Sequence, residues 1–139
     1  MIIDHIGIVV RSIEMGIQQW TKVFGYRQMT EVIENTRQKV KVVFLEKENS
    51  MLIKLIEPSG KDSPVFEYSK KGGGLHHLCF KCDSIKSEIQ NLKEKKFRLI
   101  TAPEPGEAFG DELIAFLFGQ NGLNIELIDT GKKANKILP

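Results

Sequence analysis

His5 and His77 stand 72 residues apart, and so do Lys54 and Glu126. Two imidazoles and one carboxylate can bind a divalent ion on one face and leave its remaining positions open to a substrate. Within Asn124-Ile125-Glu126-Leu127-Ile128, strand alternation puts Glu126 on one face with Asn124 and Ile128, and Ile125 and Leu127 on the other. A carboxylate on a strand that is apolar on both sides needs a partner, because an unpaired buried charge is costly. A single histidine at a strand start is ordinarily a capping or core residue. What sets His5 and His77 apart is their recurrence at one equivalent position. The other reactive pair, Cys79 and Cys82, has C-x-x-C spacing but lies in Leu78–Cys82, which reads as a strand. Positions i and i+3 of a strand point to opposite faces, and no second C-x-x-C completes a zinc site, so two reduced, partly buried thiols are expected.

The separation of 72 belongs to an internal repeat. Residues 4–24 laid over 76–96 match at five of 21 positions, among them His5/His77, Ser12/Ser84 and Ile13/Ile85. Residues 42–57 laid over 114–129 match at six of 16, among them Phe44/Phe116, Ile53/Ile125 and Leu55/Leu127. If the two units pair about a pseudo-twofold axis, positions 5, 54, 77 and 126 form one set.

Each unit reads as β-α-β-β-β. Ile6–Val10 is a β-branched run fit for a buried strand. Ser12 is a candidate N-cap for a helix whose apolar face is Ile13, Ile17, Trp20 and Phe24, and Gly25 ends it. Tyr26–Val32, Lys39–Glu46 and Met51–Ile56 follow as strands. In the second unit the strand is Leu78–Cys82, Ser84 caps a helix carrying Ile85, Ile89 and Leu92, and strands follow over Arg98–Ile100, Leu113–Phe118 and Leu123–Ile128. The modules span 1–58 and 75–131 of a single domain over 1–131. Residues 59–74, with Ser-Gly, Ser-Pro and a triple Gly, have linker chemistry. Residues 132–139 form a polar, basic tail expected to fray. Pro103–Gly110 reads as a long connection at the cleft mouth.

A chain of 139 residues with 20 Lys+Arg, 18 Asp+Glu and a net charge of +2 suits one compact domain and carries no basic stripe for nucleic acid. It lacks the roughly 18-residue apolar run that a membrane span needs, and Met-Ile-Ile-Asp-His does not resemble a secretory leader. A cytoplasmic protein is expected.

The segments Asp4-His5-Ile6-Gly7-Ile8-Val9-Val10, Phe24-Gly25-Tyr26, Leu55-Ile56-Glu57-Pro58, Gly74-Leu75-His76-His77 and Ile125-Glu126-Leu127 resemble the vicinal oxygen chelate superfamily of glyoxalases, bleomycin-resistance proteins and dioxygenases. Within it they are similar to the methylmalonyl-CoA epimerase and glyoxalase I branch. The resemblance covers residues 2–130, and its Gly-Leu-His-His and Ile-Glu-Leu motifs are the specific ones. It implies an α+β fold of two βαβββ modules forming a cupped, partly open, eight-stranded barrel-like cleft. It also implies a divalent ion (zinc, nickel, cobalt or manganese) held by His5, His77, Glu126 and the residue at 54. That ion would chelate adjacent substrate oxygens and stabilise an enediolate formed by proton abstraction next to a carbonyl.

Two positions depart from the pattern. Family members usually carry Glu or Gln where this chain has Lys54. Either Lys54 swings aside and three ligands hold the ion, or Lys54 replaces the ion and pairs with Glu126. The epimerases' second catalytic carboxylate is expected around Lys41 and Val42, where this chain reads Val40-Lys41-Val42-Val43. The leading reading is therefore an isomerase, epimerase or lyase acting on a CoA thioester or thiol adduct, with His5, His77 and Glu126 as metal ligands, Glu126 also as base, and Lys54 as electrostatic helper. The alternatives are a non-catalytic, resistance-type binding protein and a metal-dependent dioxygenase. A homodimer is expected.

Overall fold

The computed structural model describes residues 1–138. The elements run in chain order β1 (Ile2–Val9), α1 (Ile13–Phe24), β2 (Arg27–Gln28), β3 (Ile33–Asn35), β4 (Val40–Glu46), β5 (Leu52–Pro58), α2 (Phe66–Lys70), β6 (Gly74–Lys81), α3 (Ile85–Glu94), β7 (Arg98–Gly106), β8 (Glu112–Phe118) and β9 (Asn124–Ile128). The strands form one open sheet in the order β2-β4-β5-β1-β6-β9-β8-β7, with β3 paired on β4. No described helix is long and apolar enough to cross a membrane.

The two modules join along the antiparallel pair β1 and β6, whose register is self-complementary. His5 pairs with Cys79, Ile6 with Leu78, and Gly7 with His77. Shifting either residue of a pair by the repeat length returns the other pair, so the pseudo-twofold axis passes between Ile6 and Leu78. On each side of this seam the next strand is parallel: β5 beside β1, with Gly7 opposite Lys54, and β9 beside β6, with Cys79 opposite Glu126.

Alternation then sorts the side chains. Ile53 and Leu55 of β5 face outward into a cluster with Ile13 of α1, and Ile125 and Leu127 of β9 face outward into one with Ile85, Ile89 and Leu92 of α3. Each fully buried Leu or Ile contributes about 1.5–3 kcal/mol, which pins the register of both strands. The opposite faces line the concavity, where Val42, Phe44, Phe109 and Ile114 form a third cluster. Both helices start as expected: the Met15 amide donates to Ser12 Oγ and the Ser87 amide to Ser84 Oγ, each at 3.3 Å. Gly25, with φ of 73°, ends α1. Trp20 is only half-buried, and Phe24, read from sequence as part of the buried face, is exposed.

The cupped α+β fold is as expected, with four differences in detail. Of the strand expected over Tyr26–Val32 only β2 forms, and β3 lies just beyond it, giving nine strands among the described residues. At the break Thr30 Oγ1 accepts the Phe44 amide at 3.1 Å, replacing a ladder bond with a side chain. The linker 59–74 contains α2. Pro103–Gly110 is not a free loop: Pro103 and Pro105 lie in β7, an edge strand whose outer side needs no amide donor. A 3₁₀ turn over Glu107–Phe109 then carries Phe109 into the core. Finally, the tail is tied down over its described residues, Pro139 lying outside them. The Glu31 amide donates to the Asn135 carbonyl and the Ile137 amide to the Met29 carbonyl, both at 2.9 Å, and Lys133 is buried.

The sheet's ends approach without pairing. Glu107 Oε1 accepts the Thr36 amide and hydroxyl at 2.7 and 2.6 Å, and Gln38 donates to Glu104, closing one rim of the cup.

Candidate active site

All four positions singled out by the repeat converge. Glu126 Oε1 lies 3.2 Å from His5 Nε2, 3.1 Å from His77 Nε2 and 3.4 Å from Lys54 Nζ. His5 and Glu126 are wholly inaccessible to solvent, and Lys54 is 4% exposed. Gly7 makes room for this arrangement: a Cβ there would lie 2.2 Å from His77 Cε1, so the imidazole lies across the bare backbone of β1.

Two further residues complete the cluster. The β1–β6 ladder is interrupted between Ile3 and His5 and again between Gly7 and Ile8, opposite His77 and Leu75. These bulges fall at residues 4 and 76, which are equivalent under the repeat. Each turns a side chain toward the concavity that alternation would send outward. His5 Nδ1 donates to Asp4 Oδ2 at 2.7 Å, and His76 Nδ1 lies 2.8 Å from His77 Nδ1. Each inner imidazole thus has Nδ1 engaged by the residue before it and Nε2 aimed at Glu126, the arrangement by which outer partners orient metal-binding histidines. Asp4 is held in turn by Lys133 Nζ, 3.2 Å from each of its oxygens. The only signal for Asp4 and His76 in the sequence is that both are polar and directly precede the repeated histidine. Nothing marks Lys133.

The electrostatics follow from burial and these contacts. Burial acts to raise the Glu126 carboxyl, but the Lys54 charge and hydrogen bonds from His5 and His77 outweigh it and hold the group well below its usual value. Burial dominates at His77, whose value falls to about 3 despite Glu126, so the ring is neutral near pH 7. Burial also lowers His76, assisted by the Lys54 charge. At Asp4 burial is opposed by the His5 hydrogen bond and the Lys133 charge, and the carboxyl stays below its usual range. Cys79 is fully buried on the same face, with its thiol pushed up by burial and by Glu126.

His5, His77 and Glu126 can hold a metal ion: their donor atoms lie within 4.8 Å of one another. Glu126 Oε2 is buried without a hydrogen-bond partner among the described residues, as an oxygen awaiting a cation would be. With Nδ1–H given to Asp4, His5 Nε2 is the nitrogen that would offer an ion its lone pair. The donor set therefore fits a divalent ion. Lys54 opposes it, since a divalent ion and an ammonium about 4 Å apart repel by about 8 kcal/mol at an effective dielectric near 20. Of the two expected arrangements for Lys54, the structure has it paired with Glu126.

A cavity of about 270 Å³ opens onto this cluster. Its polar lining includes Lys54, His76, His77, Asn35, Gln38 and Asn124, and its apolar walls include Val42, Ile56, Ile114 and Phe116. His5 and Glu126 lie behind Lys54 and His77 and do not line it.

The fold of two paired modules is that of a glyoxalase-type protein. The model of the Glyoxalase/Bleomycin resistance protein/Dioxygenase superfamily matches residues 4–116, and the chain belongs to that superfamily. It is 36% identical over 131 residues to the uncharacterized protein YqjC of Bacillus subtilis, covering 91% of each chain. It is 31% identical over 114 residues to the human mitochondrial methylmalonyl-CoA epimerase, covering 81% of this chain and 64% of that one, just under two thirds of the human protein's length. Among solved structures, Streptomyces coelicolor methylmalonyl-CoA epimerase in complex with 2-nitronate-propionyl-CoA superposes with a TM-score of 0.82 at 24% identity, covering 94% of this chain and 98% of that one.

Proposed function

We propose that this chain is an epimerase or isomerase that moves a proton at a carbon next to a carbonyl, on a small acyl group carried as a CoA thioester or thiol adduct. The observation that carries this reading is the cavity of about 270 Å³ whose inner wall is Lys54 and His77, with Glu126 and His5 behind them. The volume suits an acyl group of a few carbons, with the rest of a CoA lying outside the mouth. The similarity to methylmalonyl-CoA epimerases supports methylmalonyl-CoA as the first substrate to try.

Removing such a proton leaves negative charge on the carbonyl oxygen, and catalysis comes from groups already placed where that charge develops. Lys54 Nζ presents positive charge and N–H donors at the cavity wall. The side-chain amides of Asn35, Gln38 and Asn124 can orient a substrate carboxylate, while Val42, Ile114 and Phe116 exclude water. Glu126 is the proton acceptor. It is held ionised, Oε1 is fixed by the two imidazoles, and Oε2 is left free to take the proton. Oε2 lies behind the cavity wall, so a substrate carbon reaches it only when Lys54 or His77 moves aside. A zinc, nickel, cobalt or manganese ion held by His5 Nε2, His77 Nε2 and Glu126 Oε1 would supply Lewis-acid polarisation of the same oxygen when bound. The chain is proposed to work as a homodimer, which light scattering on the purified protein tests.

Deuterium exchange at C2 of methylmalonyl-CoA in heavy water, followed by proton NMR, tests the reading. Exchange by the wild-type chain and its loss in Glu126→Gln are expected. No exchange at stoichiometric protein would reject it. One observation favours a second reading, a resistance-type protein that sequesters a small ligand: among the described residues no carboxylate lines the cavity. That reading predicts ligand retention without exchange.

A further inference from the structure

We propose that the ammonium of Lys54 is the resident cation of this site, standing at the edge of the His5, His77 and Glu126 donor cluster and taking over the electrostatic role of the divalent ion that those residues would otherwise hold. The inference deepens the acyl-substrate reading and rests on it for the oxyanion that Lys54 meets. Its test does not depend on turnover.

Lys54 Nζ approaches Glu126 Oε1, the same atom to which both imidazole Nε2 atoms point. The ammonium therefore stands at one corner of the donor cluster rather than beside it. The chain is built to keep it there. The Phe109 and Phe44 rings lie 5.2 and 5.9 Å from Nζ, close enough for their faces to attract a cation. Glu126 is the acidic partner of Lys54 among the described residues, and with Lys54 only 4% exposed little water competes for that contact.

Charge balance points the same way. The acidic groups around the cluster are Asp4 and Glu126, and the basic ones are Lys54 and Lys133, so fixed charges already cancel. The flanking rings, His5, His77 and His76, face this balanced set from β1 and β6. A divalent ion would add two positive charges with no further anion in reach. An ammonium brings one charge and up to three N–H donors. One of these is spent on Glu126, and the rest face the cavity that Lys54 lines. An acyl oxygen entering the cavity meets Lys54 before it could meet an ion bound behind it. In this site a tethered cation does the electrostatic work of a diffusible one.

The test is cobalt binding to the whole purified chain, read by the visible absorption of protein-bound Co²⁺ and by elemental analysis after dialysis. The wild-type chain is expected to emerge free of stoichiometric metal and to bind Co²⁺ weakly. Lys54→Gln, which restores a neutral oxygen ligand, is expected to bind one ion per chain at least roughly a hundredfold more tightly. Lys54→Met, which removes the ammonium and adds no ligand, is expected to gain less than Lys54→Gln but at least about tenfold. Circular dichroism melts establish that each variant is folded, and if Lys54→Gln is not, Lys54→Met carries the comparison. Stoichiometric metal in the wild type, or equal Co²⁺ affinity in wild type and variants, overturns the proposal. If the cobalt pattern holds but no acyl thioester exchanges its proton, the acyl reading fails while the place of Lys54 stands.

Discussion

Replacing Gly7 with Ala should damage both stability and site, by an amount the structure allows to be estimated. Gly7 does not use the left-handed backbone region, so an alanine meets no backbone strain there. On its own it would stabilise the chain by about 0.4–1 kcal/mol through the unfolded state. The added Cβ, however, would lie 2.2, 2.5 and 2.6 Å from Cε1, Nδ1 and Nε2 of His77. The ring cannot step aside cheaply. It is held by His76 at 2.8 Å, by Glu126 at 3.1 Å and edge-on by Phe116 at a centroid distance of 5.5 Å. Overpacking of this kind costs about 1–3 kcal/mol, and losing the bond to an ionised, buried carboxylate about 1.5–3 kcal/mol. The net expectation is a loss of about 1.5–5.5 kcal/mol, or roughly 6–22 °C in Tm at about 4 °C per kcal/mol for a domain of this size. Thermal and urea melts of Gly7→Ala measure it, alone and in a His77→Ala background. With the ring gone, the same substitution should be neutral or mildly stabilising. An equal cost in both backgrounds, or a cost below about 0.5 kcal/mol in the wild type, would show that Gly7 is not there to admit His77.

Other outcomes follow from the same contacts. His77 titrates near 3 in the folded chain against 6.5 ordinarily. Between those values the unfolded chain binds a proton that the folded one does not. The His77 contribution is therefore complete above pH 6.5 and is lost as pH falls, approaching about 1.4 kcal/mol per pH unit. Urea titrations between pH 5 and 6.5 should show this slope in the wild type and a flatter one in His77→Asn. Over most of that window Glu126 is ionised in both states, so it adds little to the slope; identical slopes would contradict the assignment. Lys133→Met should cost about 1–3 kcal/mol by stranding Asp4, whereas Lys132→Ala, which loses only a surface pair with Glu112, should leave the melt unchanged; equal effects would mean the buried contact contributes nothing. Cys79 should resist a thiol reagent in the native chain and react on unfolding, since it is fully buried and its thiol is pushed up. Prompt modification of Cys79 in folded protein would place it outside the core.

The four central positions were legible because a repeat leaves its offset in the sequence, and equivalent residues of a twofold fold must meet near the axis. Ile125 and Leu127 announced their outward face by alternation, which left Glu126 facing inward. Asp4 and His76 were not legible for the same reason. Period-two reasoning sends them outward, and only an irregularity in the β1–β6 ladder, invisible in residue types, turns them back. The β7 prolines read as a loop because their missing donors matter in a central strand and not at an edge. Lys133 escaped because a lysine in a short polar tail carries no pattern. Its burial depends on Asp4 and on the Phe44 and Phe109 rings, 5.3 Å away and far off in sequence.

The self-complementary seam between β1 and β6 has a consequence for what such a site can contain. Two separate, identical half-chains meeting across that axis would bring matching residues to positions 54 and 126, cation facing cation or acid facing acid. Covalent fusion releases the halves from that identity. This chain has used the freedom to set Lys54 against Glu126 while keeping His5 and His77 alike, so its electrical asymmetry is available to a tandem protein and denied to a symmetric pair.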